Sequence, residues 1–521
     1  MSKKQGKKDN IEPKEIFGFL VVLNLLLFAL ILLIPSGKIS LFKKVDFVFV
    51  PKEKLWENTK PISKEEQLES IIQKIENQVA DTQKNADTIL YKLPIMHPDS
   101  GKNALLSFYQ TLIQLRSKKN KVYRVLHIGD SQLEGDRITD YLREKMQNRF
   151  GGKGPGIINP LEPTAYYRKS VLLKQSKNWH KEAIYVKNSK NKKGAYGIGG
   201  ASFIYSNYNK IIGYDTTIYK VDSLFADSLQ IDTMSQHGTV EDTTIVPIYK
   251  NQVFQKAWIK AKTLQSSFPR AKNFEQIQLI YMAQDSTYFS FSENNRKGFW
   301  LTPCLYPKKV QIPLFSDKKN ISMYFQGPNM RLFSMSLDGL KGIAVDNFPM
   351  RGSSGLGFET INRTWLSNQL KMMEVKLLIL QFGINVVPNP QKNYNYYQRM
   401  FSAQLKAIKK AHNDLSILVI GPSDMSRKKM GVYESYPNIP LIRDAMKRAA
   451  FENGCAFWDL YENMGGQNAM LSWVKRKPPL AAKDYTHFNP EGARYIGEML
   501  FNALINDFKN YEKTIYNSNR P

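Results

Sequence analysis

The sequence predicts an α/β protein: a parallel sheet covered by helices on both faces, interrupted by an inserted all-β domain and preceded by a transmembrane helix. Three observations carry this. Apolar strand-like runs alternate with helical patterns on either side of a long central stretch. That stretch, residues 165–338, is made of short, aromatic-rich, often alternating segments. Near the start, residues 16–34 read IFGFLVVLNLLLFALILLI. A chain of 521 residues is too long for one ordinary domain, and 42% hydrophobic with 23% charged residues is a globular composition.

The apolar run has only Asn24 to interrupt it and is long enough to cross a bilayer of about 30 Å as a helix. Lys3, Lys4, Lys7, Lys8 and Lys14 precede it. They predict a cytoplasmic tail (1–15), an uncleaved anchor (16–34) and an exported body, in the periplasm or outside the cell. A cleaved signal peptide is the rival, but its apolar core is usually shorter, and no A-x-A-like site follows.

Residues 35–100 read as a stalk with one helix. Ser63 and Glu66 form a capping box ahead of an apolar stripe at Leu68, Ile71, Ile72, Ile75 and Val79. A second helical pattern, Leu105 to Ile113, opens the body. Strands are expected at 122–128, 342–346, 376–382, 415–421 and 455–460, and helices near 358–373, 391–411, 440–453 and 490–507. Apolar strands separated by helices imply a parallel sheet buried on both faces. The expected domain parts are 101–164 and 339–510, with a tail at 511–521.

The first strand and the second are too far apart for a crossover helix. Between them lie AWIKAKTL, FEQIQLIYMA, STYFSFS, KVQIPLF, ISMYFQG and MRLFSMSL. Their spacing fits a β-sandwich or jelly roll inserted into the α/β domain. DTTIYKVDSLFADSLQIDT, in the earlier part of the insertion, is too polar to place.

A net charge of +28 favours an anionic surface or polymer, although lysines spread over a large surface also serve solubility. No zinc-type Cys/His spacing, phosphate-loop glycine motif or RNA-binding aromatic motif points to nucleic acid. Cys304 and Cys455 make no disulfide framework, and the sequence leaves their pairing open.

The chemistry-bearing stretch is VLHIGDSQLEGDR, residues 125–137. Taken alone, Gly129-Asp130-Ser131 is an ordinary strand–cap–helix junction. In an open α/β sheet, however, the carboxyl ends of the strands form the ligand crevice, and Ser131 stands just past the first strand. A nucleophilic serine needs a base. Of six histidines, His127 sits inside a strand, His412 ends a helix, and His97, His180 and His237 lie in the stalk or the insertion. His487 follows the last strand with Asp484 three residues before it, a spacing that lets a carboxylate hold one ring nitrogen. Two further loops after strands offer oxyanion donors: the backbone of Gly352 in MRGSSG, and the amide of Asn385 after Gly383-Ile384.

These four pieces, in this order, resemble the SGNH (GDSL-type) hydrolases. The resemblance covers about 115–160 and 340–510. It implies a three-layer, flavodoxin-like α/β/α domain with a parallel five-stranded sheet. It assigns Ser131 as nucleophile, His487 as base and Asp484 as its orienting partner. The Ser131 and Gly352 N–H groups and the Asn385 amide become oxyanion donors, with Gly129, Asp130 and Gly383 in support. No metal or cofactor is implied. Val386 stands where the third block often has Asp, which touches a supporting contact only. The long insertion and GGKGPG at 151–156 resemble the peptidoglycan O-acetylesterase branch, whose members carry a carbohydrate-binding-module-like domain.

The expected function is therefore a serine esterase removing O-acetyl groups from peptidoglycan or another envelope glycan. The same acyl-serine would serve an O-acetyltransferase supplied by a membrane acyl-transporting partner. A third class, a membrane-tethered glycan-binding protein without catalysis, has no need of the full set of Ser131, Gly352, Asn385, Asp484 and His487.

Overall fold

The structure, a computed structural model, describes residues 18, 21–22, 38–42, 45–48, 93–99, 103–115, 121–162, 168–186, 191, 193–205, 211–220, 241–249, 256–293, 296–328 and 330–518. Most of the expected anchor at 16–34 and the helix expected over 63–79 lie outside these residues. Among the described residues no helix is long and apolar enough to cross a membrane. The chain divides into two compact units, 1–80 and 81–521. In the first, Lys38–Phe42 and Val45–Val48 form an antiparallel hairpin.

The second unit is built on a five-stranded parallel sheet. Its strands are β1 (Val122–Gly129), β2 (Gly342–Pro349), β3 (Val375–Gln381), β4 (Ser416–Ile420) and β5 (Ala456–Trp458). Their order is β2-β1-β3-β4-β5, with every neighbouring pair parallel. This is the doubly wound, flavodoxin-like arrangement, in which winding reverses beside β1 and opens a crevice at the carboxyl ends of β1 and β3.

Burial of alternate side chains on both faces explains why these strands read as largely apolar runs. Leu126 and Ile128, Leu378 and Leu380, and Ile417 and Val419 face one layer. Val125, Leu377 and Ile379, and Leu418 and Ile420 face the other. The first layer holds α3 (Arg363–Met372), α4 (Asn395–Ala411) and α5 (Ile439–Glu452). The second holds α1 (Leu106–Leu115), α2 (Thr139–Phe150) and α8 (Pro490–Ser518). Two short helices, α6 (Leu460–Met464) and α7 (Ala469–Lys475), follow β5.

Between β1 and β2 the chain makes two antiparallel sheets. One runs in the order 299–301, 287–291, 320–326, 257–263, 171–175. The other runs 304–318, 274–283, 330–338, 201–205, 179–183, with Gly156–Ile158 pairing alongside Met330–Asp338. Their inner faces share one buried cluster that includes Phe289, Phe325, Ile259, Leu279 and Leu332. Ile211–Lys220 and Glu241–Tyr249 form a separate hairpin, and 221–240 lie outside the described residues.

Two details differ from the sequence reading, and a third fills in what it left open. Residues 93–99 are not stalk. Ile95 is buried, Met96 bridges to Phe457 of β5, and His97 pairs with Asp507 of α8 at 3.0 Å. The last helix runs on to Ser518, because Phe508 is buried and Tyr511 packs on Tyr109, through most of the expected tail. Cys304 and Cys455 are both free thiols, one in the sandwich and one at the entry to β5.

The sandwich and the sheet share a buried ionic centre. Arg124 of β1 donates to both carboxylate oxygens of Asp346 on β2, at 3.0 and 3.1 Å, and to Ser336 Oγ at 2.9 Å. It also pairs with Asp338. Asp346 in turn accepts from the Ile157 N–H at 2.7 Å. Removing one partner of such a buried set leaves the others charged and unpaired. Arg124→Leu should cost about 3–5 kcal/mol, read as a lower denaturation midpoint of the full chain. A midpoint close to wild type would show that the centre does not hold the two parts together.

Candidate active site

Three loops leave the sheet at one level. In register, Gly129 of β1 stands opposite Pro349 of β2 and Gln381 of β3. Strand pairing thus sets the loops carrying Ser131, Gly352 and Asn385 side by side. Gly129 tolerates no side chain, since a Cβ there would lie 2.5 Å from the Gln381 carbonyl oxygen. Its own carbonyl accepts from the Met350 N–H at 2.6 Å, drawing the second loop onto the first.

Asp130 caps the 3-10 turn Ser131–Asp136, accepting from the Gln132 N–H at 3.0 Å. The Ile384 N–H of the third loop also donates to it. Burial pushes its carboxyl up to about 7. Ser131, the first residue of the turn, is 8% exposed. Its Oγ lies 2.8 Å from His487 Nε2, across 356 residues of sequence.

His487 Nδ1 lies 2.7 Å from Asp484 Oδ2. The other carboxylate oxygen, Oδ1, accepts from the N–H groups of Thr486 and His487, each at 3.0 Å. Tyr485, at φ +56°, allows the four-residue turn to close. Partial burial works to raise the Asp484 carboxyl, but the His487 N–H and ring and the Thr486 N–H hold it below the usual range. An ionised carboxylate accepts only, so Nδ1 carries the proton and Nε2 is left to accept from the Ser131 hydroxyl.

Gly352 is exposed at φ +75°, with no heavy atom within 4 Å of where a Cβ would stand. Conformation, not crowding, calls for glycine there. Asn385 Nδ2 donates to the Ser353 carbonyl at 2.9 Å, joining the second and third loops. An amide nitrogen carries two hydrogens, so this anchor leaves one N–H for a ligand. Gly383, at φ +112°, starts the turn that carries Asn385. Val386 points into the apolar layer with α3, α4 and α5.

Two residues absent from the sequence reading hold the halves together. Gln132 Nε2 donates to the Thr486 carbonyl at 2.7 Å and to Ser423 Oγ at 3.3 Å, while its Oε1 accepts from the Phe488 N–H at 3.4 Å. Arg137 donates to the Ser131 carbonyl at 2.7 Å and to the Phe488 carbonyl at 3.1 Å. The residues on both sides of His487 are thus gripped by the turn that carries Ser131. Tyr433 of the hairpin 426–435 stacks on Tyr485, with ring centroids 3.6 Å apart, and backs the same loop.

The other described histidines serve elsewhere. His127 is buried between Gln381 and Thr139, and burial lowers it to about 4. His97 holds α8, His412 caps α4, and His180 lies in the sandwich strand 179–183. His237 lies outside the described residues. Among the described residues no group of three or more His, Cys, Asp or Glu is placed to hold a metal ion.

No protein-family model matches the chain, and no curated protein sequence matches it. Solved structures do. One described as "Peptidoglycan O-acetylesterase in action" has a TM-score of 0.56 at 16% identity, covering 80% of this chain and 99% of that one. An acetyl xylan esterase has a TM-score of 0.22 at 16% identity, covering 31% and 81%. A family two carbohydrate esterase from Cellvibrio japonicus has 0.22 at 6%, covering 49% and 90%. The first likeness shows a shared fold, the one expected from the resemblance to SGNH hydrolases.

Two measurements test the site. A fluorophosphonate should label Ser131, and Asp484→Asn should slow labelling by about 10²–10⁴-fold, the usual span of general-base assistance. Equal rates would remove Asp484 from the machinery. Asp130 gives a pH test. Its folded carboxyl titrates near 7, against about 3.9 in an unfolded chain. Its contribution to stability is therefore full below about pH 4 and is lost as pH rises toward 7. Asp130→Asn should flatten that slope in denaturation midpoints taken from pH 4 to 8; an unchanged slope would place the titration elsewhere.

Proposed function

We propose that the chain is a serine carbohydrate esterase that removes O-acetyl groups from peptidoglycan or another envelope glycan. One observation carries the reading: the unbroken hydrogen-bonded line from Ser131 through His487 to Asp484, at 2.8 and 2.7 Å. The fold shared with a protein described as a peptidoglycan O-acetylesterase supports the substrate class.

In this mechanism Ser131 Oγ attacks the ester carbonyl while His487 Nε2 takes its proton. Asp484 holds the tautomer and favours the imidazolium that forms. The N–H groups of Ser131 and Gly352 and the second N–H of Asn385 receive the developing oxyanion, and each such donor is worth about 3–4 kcal/mol. The imidazolium then protonates the departing sugar oxygen. Water, activated by the same histidine, attacks the acyl-serine, releases acetate and restores Ser131.

The apolar run 16–34, with lysines before it, would tether this domain to the cytoplasmic membrane with its body outside the cytoplasm. That segment also favours a second reading, an O-acetyltransferase. A sugar hydroxyl would replace water at the acyl-serine, and a membrane acyl-transporting partner would supply the acetyl group.

Acetate release from a small acetyl ester and from O-acetylated peptidoglycan, measured beside Ser131→Ala, separates these readings. Serine-dependent release from both is expected. Release from the small ester alone would favour transfer or another glycan, and none from either would overturn the esterase.

A further inference from the structure

Asp484 and His487 stand on a turn that core packing does not hold. Their side chains are 49% and 31% exposed, and the turn closes with Tyr485, between them, at φ +56°. A bulky side chain rarely takes that conformation, because its Cβ crowds the following carbonyl oxygen. Glycine would take it freely. A tyrosine held there points to a restraint from outside the turn.

The hairpin 426–435 supplies that restraint. The Tyr433 ring lies within 13° of parallel to that of Tyr485, with centroids 3.6 Å apart. Aromatic pairs usually settle offset or edge-on with centroids about 4.5–7 Å apart. The pair Phe289–Phe325 in the sandwich core, by comparison, stands at 5.0 Å. The two tyrosine rings are therefore pressed together by the backbones that carry them.

Both backbones are tied. The Ser426 N–H donates to the Tyr485 carbonyl at 3.0 Å, and the Tyr485 N–H donates to the Ala482 carbonyl at 3.1 Å. On the hairpin's second strand, the Ser435 N–H donates to Asn468 Oδ1 at 3.2 Å, and the Asn468 N–H donates to Ser435 Oγ at 2.7 Å. Arg427 and Glu434 join the two strands at 3.1 Å. Tyr485 is thus gripped at two points, its carbonyl by one strand of the hairpin and its ring by the other. The tip of the hairpin takes no part in this, and Met430 there is 90% exposed.

We propose that Tyr433 is a positioning residue for the catalytic base. Its ring, pressed on Tyr485, keeps the Asp484–His487 turn closed and His487 Nε2 in line with Ser131 Oγ. It acts through Tyr485 and not on the substrate. This role rests on the esterase reading, in which His487 is the base.

The test uses the full chain as wild type, Tyr433→Ala, Tyr433→Phe and Met430→Ser, with the melting temperature of each. In hydrolysis of a small acetyl ester, Tyr433→Ala should lower kcat about 10–100-fold and leave KM within about twofold, the pattern of a misaligned base rather than a lost binding contact. Tyr433→Phe and Met430→Ser should stay near wild type, because the ring does the positioning. In a Tyr485→Gly background the ring partner and the strained side chain are both gone, so adding Tyr433→Ala should lower kcat no further. An undiminished kcat in Tyr433→Ala, a loss that follows the melting temperature, a loss as large in Tyr433→Phe or Met430→Ser, or an equal loss in the Tyr485→Gly background would overturn the role. Fluorophosphonate labelling of Ser131 needs the same base but no ester. Labelling slowed in Tyr433→Ala, with no ester hydrolysis by any form, would support the positioning role while overturning the esterase reading.

Discussion

The pairing of Ser131 with His487 depends on one grip: the hydrogen bonds between Gln132 and Arg137 and the residues flanking His487. Strand register alone sets Ser131, Gly352 and Asn385 side by side, because their loops leave three neighbouring strands at one level. It does not place His487, which arrives on a loop after α7. A hydrogen bond of 2.8 Å between two side chains tolerates little drift. Here the turn that carries Ser131 and the Arg137 that follows it hold the residues on either side of His487. The Tyr433–Tyr485 stack supports the far side of the loop.

The second constraint is the one the insertion imposes. A sandwich placed between β1 and β2 separates the two strands that must pair to build the crevice. The ionic centre of Arg124, Asp346, Asp338 and Ser336 offsets this by joining β1 and β2 to the sandwich strand 330–338. Arg143 with Asp136, and Ser170 with the same carboxylate, make a second such junction below the Ser131 turn. Buried charge here acts through orientation, since the sandwich enters and leaves at fixed points beside β2.

The sheet was legible because burial on both faces leaves little room for polar residues, so each strand reads as an apolar run. Arg124 and His127 break the β1 run, and both turn out to be buried polar anchors. Ser131 was legible because it stands at the carboxyl end of a strand, and Asp484 and His487 because a carboxylate three residues before a histidine can hold its ring in a turn. Gln132 and Arg137 left no such signal: they work largely through backbone groups of residues 486–488, and no residue type there records the contact. The continuation of α8 to Ser518 and the docking of residues 93–99 depend on partners distant in sequence, Tyr109 for the helix and Phe457 and Asp507 for the segment, which local periodicity does not reveal.

The central claim is that Ser131 carries the acyl group. Mass spectrometry of the chain quenched during turnover of an acetyl ester tests it most directly. The account predicts one acetyl group on the peptide containing Ser131, absent from Ser131→Ala and strongly reduced in His487→Ala, which removes the base of the first step. Ester turnover with no adduct on that peptide, or with an adduct on another residue, would contradict it.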